Sequence, residues 1–132
     1  MKNNQGFTLI ELITTIALLS IIVIISFVSI NKVIERGKKN NCQTLVNNIK
    51  TAAKEYVSDR RYKQDFISSV SDDSVSVSAA TLINNNYLSS PITDPYQNDK
   101  NKTIDPNTIN ITLILNSDYT VKNATITGIE CK

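Results

Sequence analysis

The stretch FTLIELITTIALLSIIVIISFVSIN, residues 7 to 31, decides how the chain is read. From Leu12 to Asn31 it runs for twenty residues without a charged side chain. At about 1.5 Å per residue that is enough for one helix to cross the roughly 30 Å hydrocarbon core of a bilayer. The stretch has one ionisable side chain, Glu11, at the mouth of the apolar run. An acid at the centre of a membrane helix costs about 2.5–3.5 kcal/mol on insertion scales, and less near an end, so Glu11 needs a partner or a task.

Beyond this stretch about one hundred residues remain, enough for one small domain with a modest core and too few for a large catalytic cleft. The chain has 132 residues, no His, no Trp, two Cys and a formal net charge of +2. Without His the commonest general base is missing, and no nucleophile–base pair or cluster of metal ligands stands in its place, so an enzyme is not expected. The near-neutral charge does not mark a dedicated nucleic-acid binder. A cleaved secretory signal is also a poor description. The apolar run exceeds an h-region, no small-x-small site follows it, and Cys42 is too far along to be a lipid-bearing cysteine.

A partner for Glu11 comes from the chain itself. A cut between Gly6 and Phe7 would turn the amide of Phe7 into an ammonium four residues before the acid, on the same helical face. The carboxylate could then pair with that amine in its own chain or in a neighbour's, and would act as an assembly device.

These residues resemble the prepilin signature of type IV pilins and of the pseudopilins of type II secretion and competence systems. In QGFTLIELITTIALLSIIVII, Gly6 stands where the family's polar leader ends, Phe7 where its first mature residue lies and Glu11 where its fifth does. Thr8, Leu9, Ile10, Leu12 and Ile13 match the family's Thr and branched apolar positions. The resemblance implies a leader of residues 1–6, removed by a prepilin peptidase that also methylates Phe7. It implies a membrane and filament-core helix half (7–31), an amphipathic helix half (32–62) and a globular head (63–132). It further implies storage in the bacterial cytoplasmic membrane with the head outside, and assembly by a platform and ATPase into a polymer with itself or other pilins. An alternative role is a competence or secretion pseudopilin that contacts DNA or secreted cargo. Two features depart from the family pattern. No Pro or Gly lies between Phe7 and Arg36, and the cations Lys32, Arg36, Lys38 and Lys39 outnumber Lys2 ahead of the run. By the positive-inside rule alone those cations would put the C-terminal part in the cytoplasm. The expected topology follows the prepilin resemblance instead.

Past the apolar run, Cys42, Leu45, Val46, Ile49, Ala52, Ala53, Tyr56 and Val57 recur every three or four residues, the pattern of one apolar helical stripe. The helix is expected to run from Phe7 to about Asp59, roughly 80 Å at 1.5 Å per residue. The Ser- and Asp-rich residues 68–78 read as a loop, with a short extended piece within it as the alternative. Ser78 is placed to cap a short helix through AATLINNNYL, with Leu82, Ile83 and Tyr87 on its apolar side. The segment 89–107 holds all three prolines and reads as turns. In TINITLIL (108–115) the alternation of Ile109, Ile111, Leu113 and Leu115 predicts a strand, and YTVKNATITGI (119–129) a second, joined by a turn at Asn116, Ser117 and Asp118. The fold class expected is α+β, a long helix followed by a small antiparallel sheet. LINNNYLSSPITDPYQN also resembles, more loosely, the pseudopilin stretch that leads to an Asp-Pro turn ahead of the sheet.

Cys42 lies on the stripe and Cys131 follows the last strand, so a disulfide between them is one reading; two unrelated small side chains is the other. Arg60, Arg61 and Lys63, with Tyr56 close by, offer cations and a ring for DNA phosphates and bases, or else a solvated helix end. No cofactor is expected. Calcium at Asp94, Asn98, Asp99, Asp105 and Asp118 is the weaker reading beside solvated turn residues, because their spacing matches no recognisable calcium loop.

Overall fold

A computed structural model describes residues 6–97 and 102–132. The chain falls into two units, Met1–Gly37 and Lys38–Lys132. The first helix, α1 (Leu9–Arg60), begins in the first unit and continues into the second. After it come α2 (Gln64–Ile67), β1 (Ser74–Ser78), α3 (Ala79–Asn84), β2 (Asn110–Leu115) and β3 (Val121–Thr127). The strands lie in the order β1-β2-β3, all antiparallel. This is the α+β, pilin-like layout that the resemblance implied.

In the first unit the helix forms without help from packing. The large apolar side chains described along it are exposed, from Phe7 and Leu9 through Leu18 and Ile24 to Ile34. Four of its hydroxyls are turned inward on the backbone. Thr14 donates to the carbonyl of Ile10 (2.9 Å), Thr15 to that of Leu12 (2.8 Å), Ser20 to that of Ile16 (2.8 Å) and Ser26 to that of Ile22 (2.7 Å). A hydroxyl satisfied inside its own helix places no unpaired donor in a hydrocarbon surround. The segment is thus apolar and long enough to cross a membrane.

In the second unit the same helix behaves as a partner to a core. Cys42, Ile49, Ala52, Ala53 and Val57, spaced at three, four and seven, are buried, while Asn47, Asn48, Lys54 and Glu55 stay exposed. The sheet supplies the other wall. Ile109, Ile111, Leu113 and Leu115 are buried, and across the ladder Val75 pairs with Leu113, Val77 with Ile111 and Leu113 with Ala124. Because strand side chains alternate, the intervening rows put Ser76, Thr112 and Thr125 side by side on the other face, with Ser78, Asn110 and Thr127 forming another row.

Residues 68–78, expected as a loop with room for a short extended piece, hold that piece at their end as the five-residue strand β1. SVSVS has the two-residue period of a strand, but only Val75 and Val77 face the core. Its Ser content is the polar face of an edge strand. α2 was not expected at all; it is a single turn that buries Phe66. Ser78 does cap α3, its hydroxyl oxygen accepting from the N–H of Thr81 (3.2 Å). The last strand is shorter at both ends than expected. Tyr119 takes a left-handed φ of 61° and closes a turn to Asn116 O (2.9 Å). At the far end Gly128 has φ 91°, and a Cβ there would lie 2.2 Å from the carbonyl oxygen of Thr108, so the chain leaves the sheet at a residue only glycine fits.

Candidate functional site

The residues around the expected cut are built on the first turn of α1. Thr8 is the N-cap: its carbonyl accepts from Leu12 N–H (3.3 Å), and its hydroxyl oxygen accepts from Glu11 N–H (3.4 Å). Glu11 reaches back. Its Oε2 accepts from the backbone N–H of Thr8 (3.0 Å) and from the Thr8 hydroxyl (3.0 Å). This reciprocal arrangement, Thr-x-x-Glu with cap and third residue serving each other's N–H, is a capping box. It satisfies donors that the start of a helix otherwise leaves open. Sequence reasoning paired Glu11 with an amine at Phe7 and passed over Thr8, although the four-residue pattern was present in TLIE. Gly6, Phe7, Thr8 and Glu11 are all exposed and line one shallow recess. Lys2 and the other residues of the leader ahead of Gly6 lie outside the described residues.

The two cysteines meet. Cys42 on α1 and Cys131 after β3 are bonded, with Cα atoms 5.7 Å apart and a separation of 89 positions in sequence. Cys42 is wholly buried. The bond ties the last residues of the chain to the helix of the second unit.

The cationic stretch after α1 is only partly available. Arg60 donates to Asn85 Oδ1 (2.7 Å), lies over the ring of Tyr56 (4.7 Å to its centre) and sits 3.9 Å from the Asp65 carboxylate. Tyr56 in turn meets Tyr87 edge-on at 5.4 Å, and the Tyr87 hydroxyl donates to Asp59 (2.7 Å). That hydrogen bond holds the phenol proton and raises the Tyr87 pKa above its ordinary value. Arg60 therefore fastens the end of α1 to the turn after α3. Arg61 lies over Tyr62 (4.7 Å), and Lys63 is exposed at the start of α2.

The acidic residues of the turns serve their own turns. Asp94 Oδ1 accepts from Tyr96 N–H (2.9 Å), Asp105 Oδ1 from Asn107 N–H (2.9 Å) and Asp118 Oδ1 from Thr120 N–H (3.1 Å). The Thr120 hydroxyl also donates to Asp118 (2.6 Å), and these bonds to the charged form hold its carboxyl below the usual Asp range. Among the described residues no group of three ligating side chains converges. Asn98 and Asp99 lie outside the described residues.

Comparison with known families gives a match at the N-terminus. Residues 1–27 fit the model described as the prokaryotic N-terminal methylation motif, which is the leader signature of type IV prepilins and pseudopilins. No curated protein and no solved structure matches the chain. The match spans Gly6, Phe7, Thr8 and Glu11 and ends inside the apolar run.

Proposed function

We propose that this chain is the precursor of a structural subunit of a bacterial type IV pilus-like filament, a pilin or pseudopilin. A prepilin peptidase would cut it between Gly6 and Phe7 and methylate the new amine. The apolar half of α1 would hold the mature chain in the cytoplasmic membrane with the head outside, until an assembly platform and its ATPase pass it into the polymer. The observation that carries this reading is the methylation motif at residues 1–27, continuous with a helix whose large apolar side chains from Leu9 to Ile34 are exposed among the described residues.

The chemistry assigns Glu11 its task. In a filament core of packed apolar helices the ammonium of Phe7 would be buried, and an uncompensated buried charge costs several kcal/mol. A Glu11 carboxylate on a neighbouring subunit supplies the compensation. Removing the charge leaves insertion easier, since the acid is the costly group in the membrane. The assembly step is where the loss falls.

Mass spectrometry of the chain from its native cell should find Phe7 at the N-terminus with one methyl group on the amine. Glu11→Gln, as the sole copy, should accumulate as processed membrane protein with few filaments. Full-length chain recovered beside an active prepilin peptidase, or wild-type filament yield from Glu11→Gln, would overturn the reading.

A further inference from the structure

We infer that Thr8 is a positioning residue for Glu11, holding one carboxylate oxygen against the first helical turn so that the other is left to receive a cation from a second copy of the chain. The inference rests on the filament reading and adds to it a residue that the reading does not use.

The two oxygens of Glu11 are not equivalent. Oε2 accepts both the N–H and the hydroxyl of Thr8, each at 3.0 Å. Among the described residues Oε1 accepts no hydrogen bond. A carboxylate can accept about four hydrogen bonds, two at each oxygen, so Oε2 is filled and Oε1 is empty. The hydroxyl of Thr8 is used in both directions, donating its proton to Oε2 and accepting from Glu11 N–H. A side chain held at two points loses rotamer freedom before any partner arrives, which lowers the cost of binding one.

The geometry also survives processing. A cut between Gly6 and Phe7 changes the nitrogen of Phe7 and leaves the amide of Thr8 intact, so neither donor to Oε2 is consumed. The carboxylate presented to a neighbour after the cut is the one already oriented before it. A free Glu side chain, by contrast, could turn either oxygen to the amine one residue upstream of Thr8.

Two substitutions separate the hydroxyl from the shape of the side chain. Thr8→Val keeps the branched outline and the backbone N–H and removes the hydroxyl; Thr8→Ser keeps the hydroxyl. Each variant is expressed beside wild type in the native cell, and the ratio of variant to wild type in sheared filaments is divided by the ratio of processed chains in the membrane. Thr8→Val should be cut normally and enter filaments about tenfold less well, the scale of one hydrogen bond to a charged group. Thr8→Ser should enter near the wild-type level.

The same measurement in a Glu11→Gln background distinguishes positioning from simple capping. A Gln serves a capping box as a Glu does. A Thr8 that only caps the helix would therefore show the same Val penalty in both backgrounds, whereas a Thr8 that acts through the carboxylate should show little further loss once the charge is gone. Equal entry of Thr8→Val and wild type, an unchanged penalty in the Glu11→Gln background, or a Thr8→Ser as poor as Thr8→Val would each overturn the inference while leaving the filament reading in place. Wild-type chain that is never cut, or never enters a filament, would overturn both.

Discussion

Leu18 and Leu113 are the same residue in two opposite situations. Leu18, in the unit Met1–Gly37, is 63% exposed, and Leu113, in the unit Lys38–Lys132, is 0% exposed. The second unit closes an apolar core with its own residues, while in the first the hydroxyls of Thr14, Thr15, Ser20 and Ser26 bond to their own helix and the large apolar side chains among the described residues stay exposed. One helix serves both. The difference lies in which side chains it carries: an unbroken apolar run in one half, and in the other a single stripe with Asn and Lys between. A stripe specifies one partner face, whereas an all-apolar cylinder calls for an apolar medium or several neighbours.

The largest effect that sharpens this contrast should come from Cys131→Ser. The bond to Cys42 closes a loop across 89 positions, worth about 4–5 kcal/mol in the chain-entropy model. Thermal unfolding of detergent-solubilised, unassembled chain, followed by circular dichroism, should show a markedly lower melting temperature for the head. An unchanged transition would mean that the second unit owes nothing to its staple.

Next in size is a pair of identical truncations. Leu113→Ala should destabilise the head by about 2–5 kcal/mol, the range for opening a cavity in a packed core. Leu18→Ala in the same unassembled chain should leave the head's unfolding midpoint in urea where it was, because Leu18 has no core to lose. A matching loss from Leu18→Ala would break the comparison outright.

The smallest effect concerns pH and belongs to the second unit alone. Asp118 titrates below its ordinary 3.8 in the folded chain, so the bonds it accepts from Thr120 stabilise fully above that value and are lost as pH falls through the folded pKa. Tyr87 titrates above 10.0, so its bond to Asp59 stabilises fully below that value and is lost as pH rises through the folded pKa. Urea midpoints should therefore be flat with respect to these two groups between about 5 and 9. Thr120→Val should flatten the acid end and Tyr87→Phe the alkaline end.

How much of this was legible beforehand depended on pattern length. The stripe from Cys42 to Val57 repeats over four turns, and Ile109 to Leu115 alternates four times, so both stood out; the four strand residues are buried, and of the stripe Cys42, Ile49, Ala52, Ala53 and Val57 are buried while Leu45, Val46 and Tyr56 are half-buried. Ser78 was legible from its chemistry, since a hydroxyl before AATL has a cap to make. β1 was legible only as a short extended piece within a loop, because its inward positions number two and its outward Ser residues look like loop composition. α2 is a single turn and too short to show any period. The Thr8 clamp on Glu11 was hidden for another reason. A motif that explains an acid by processing drew attention from a motif that explains it by capping, and the same residues carry both.

The bond between Cys42 and Cys131 also has a mechanical meaning. A pull applied between the apolar helix and the residue beyond the bond, Lys132, runs along α1 to Cys42, crosses sulfur to sulfur and leaves through Cys131. The sheet and its connecting turns lie in parallel with that path and carry none of the tension. Without the covalent link, the same pull would draw on roughly 300 Å of chain at about 3.3–3.6 Å per residue as the strands peeled apart. With it, a stretched chain has almost no slack to release.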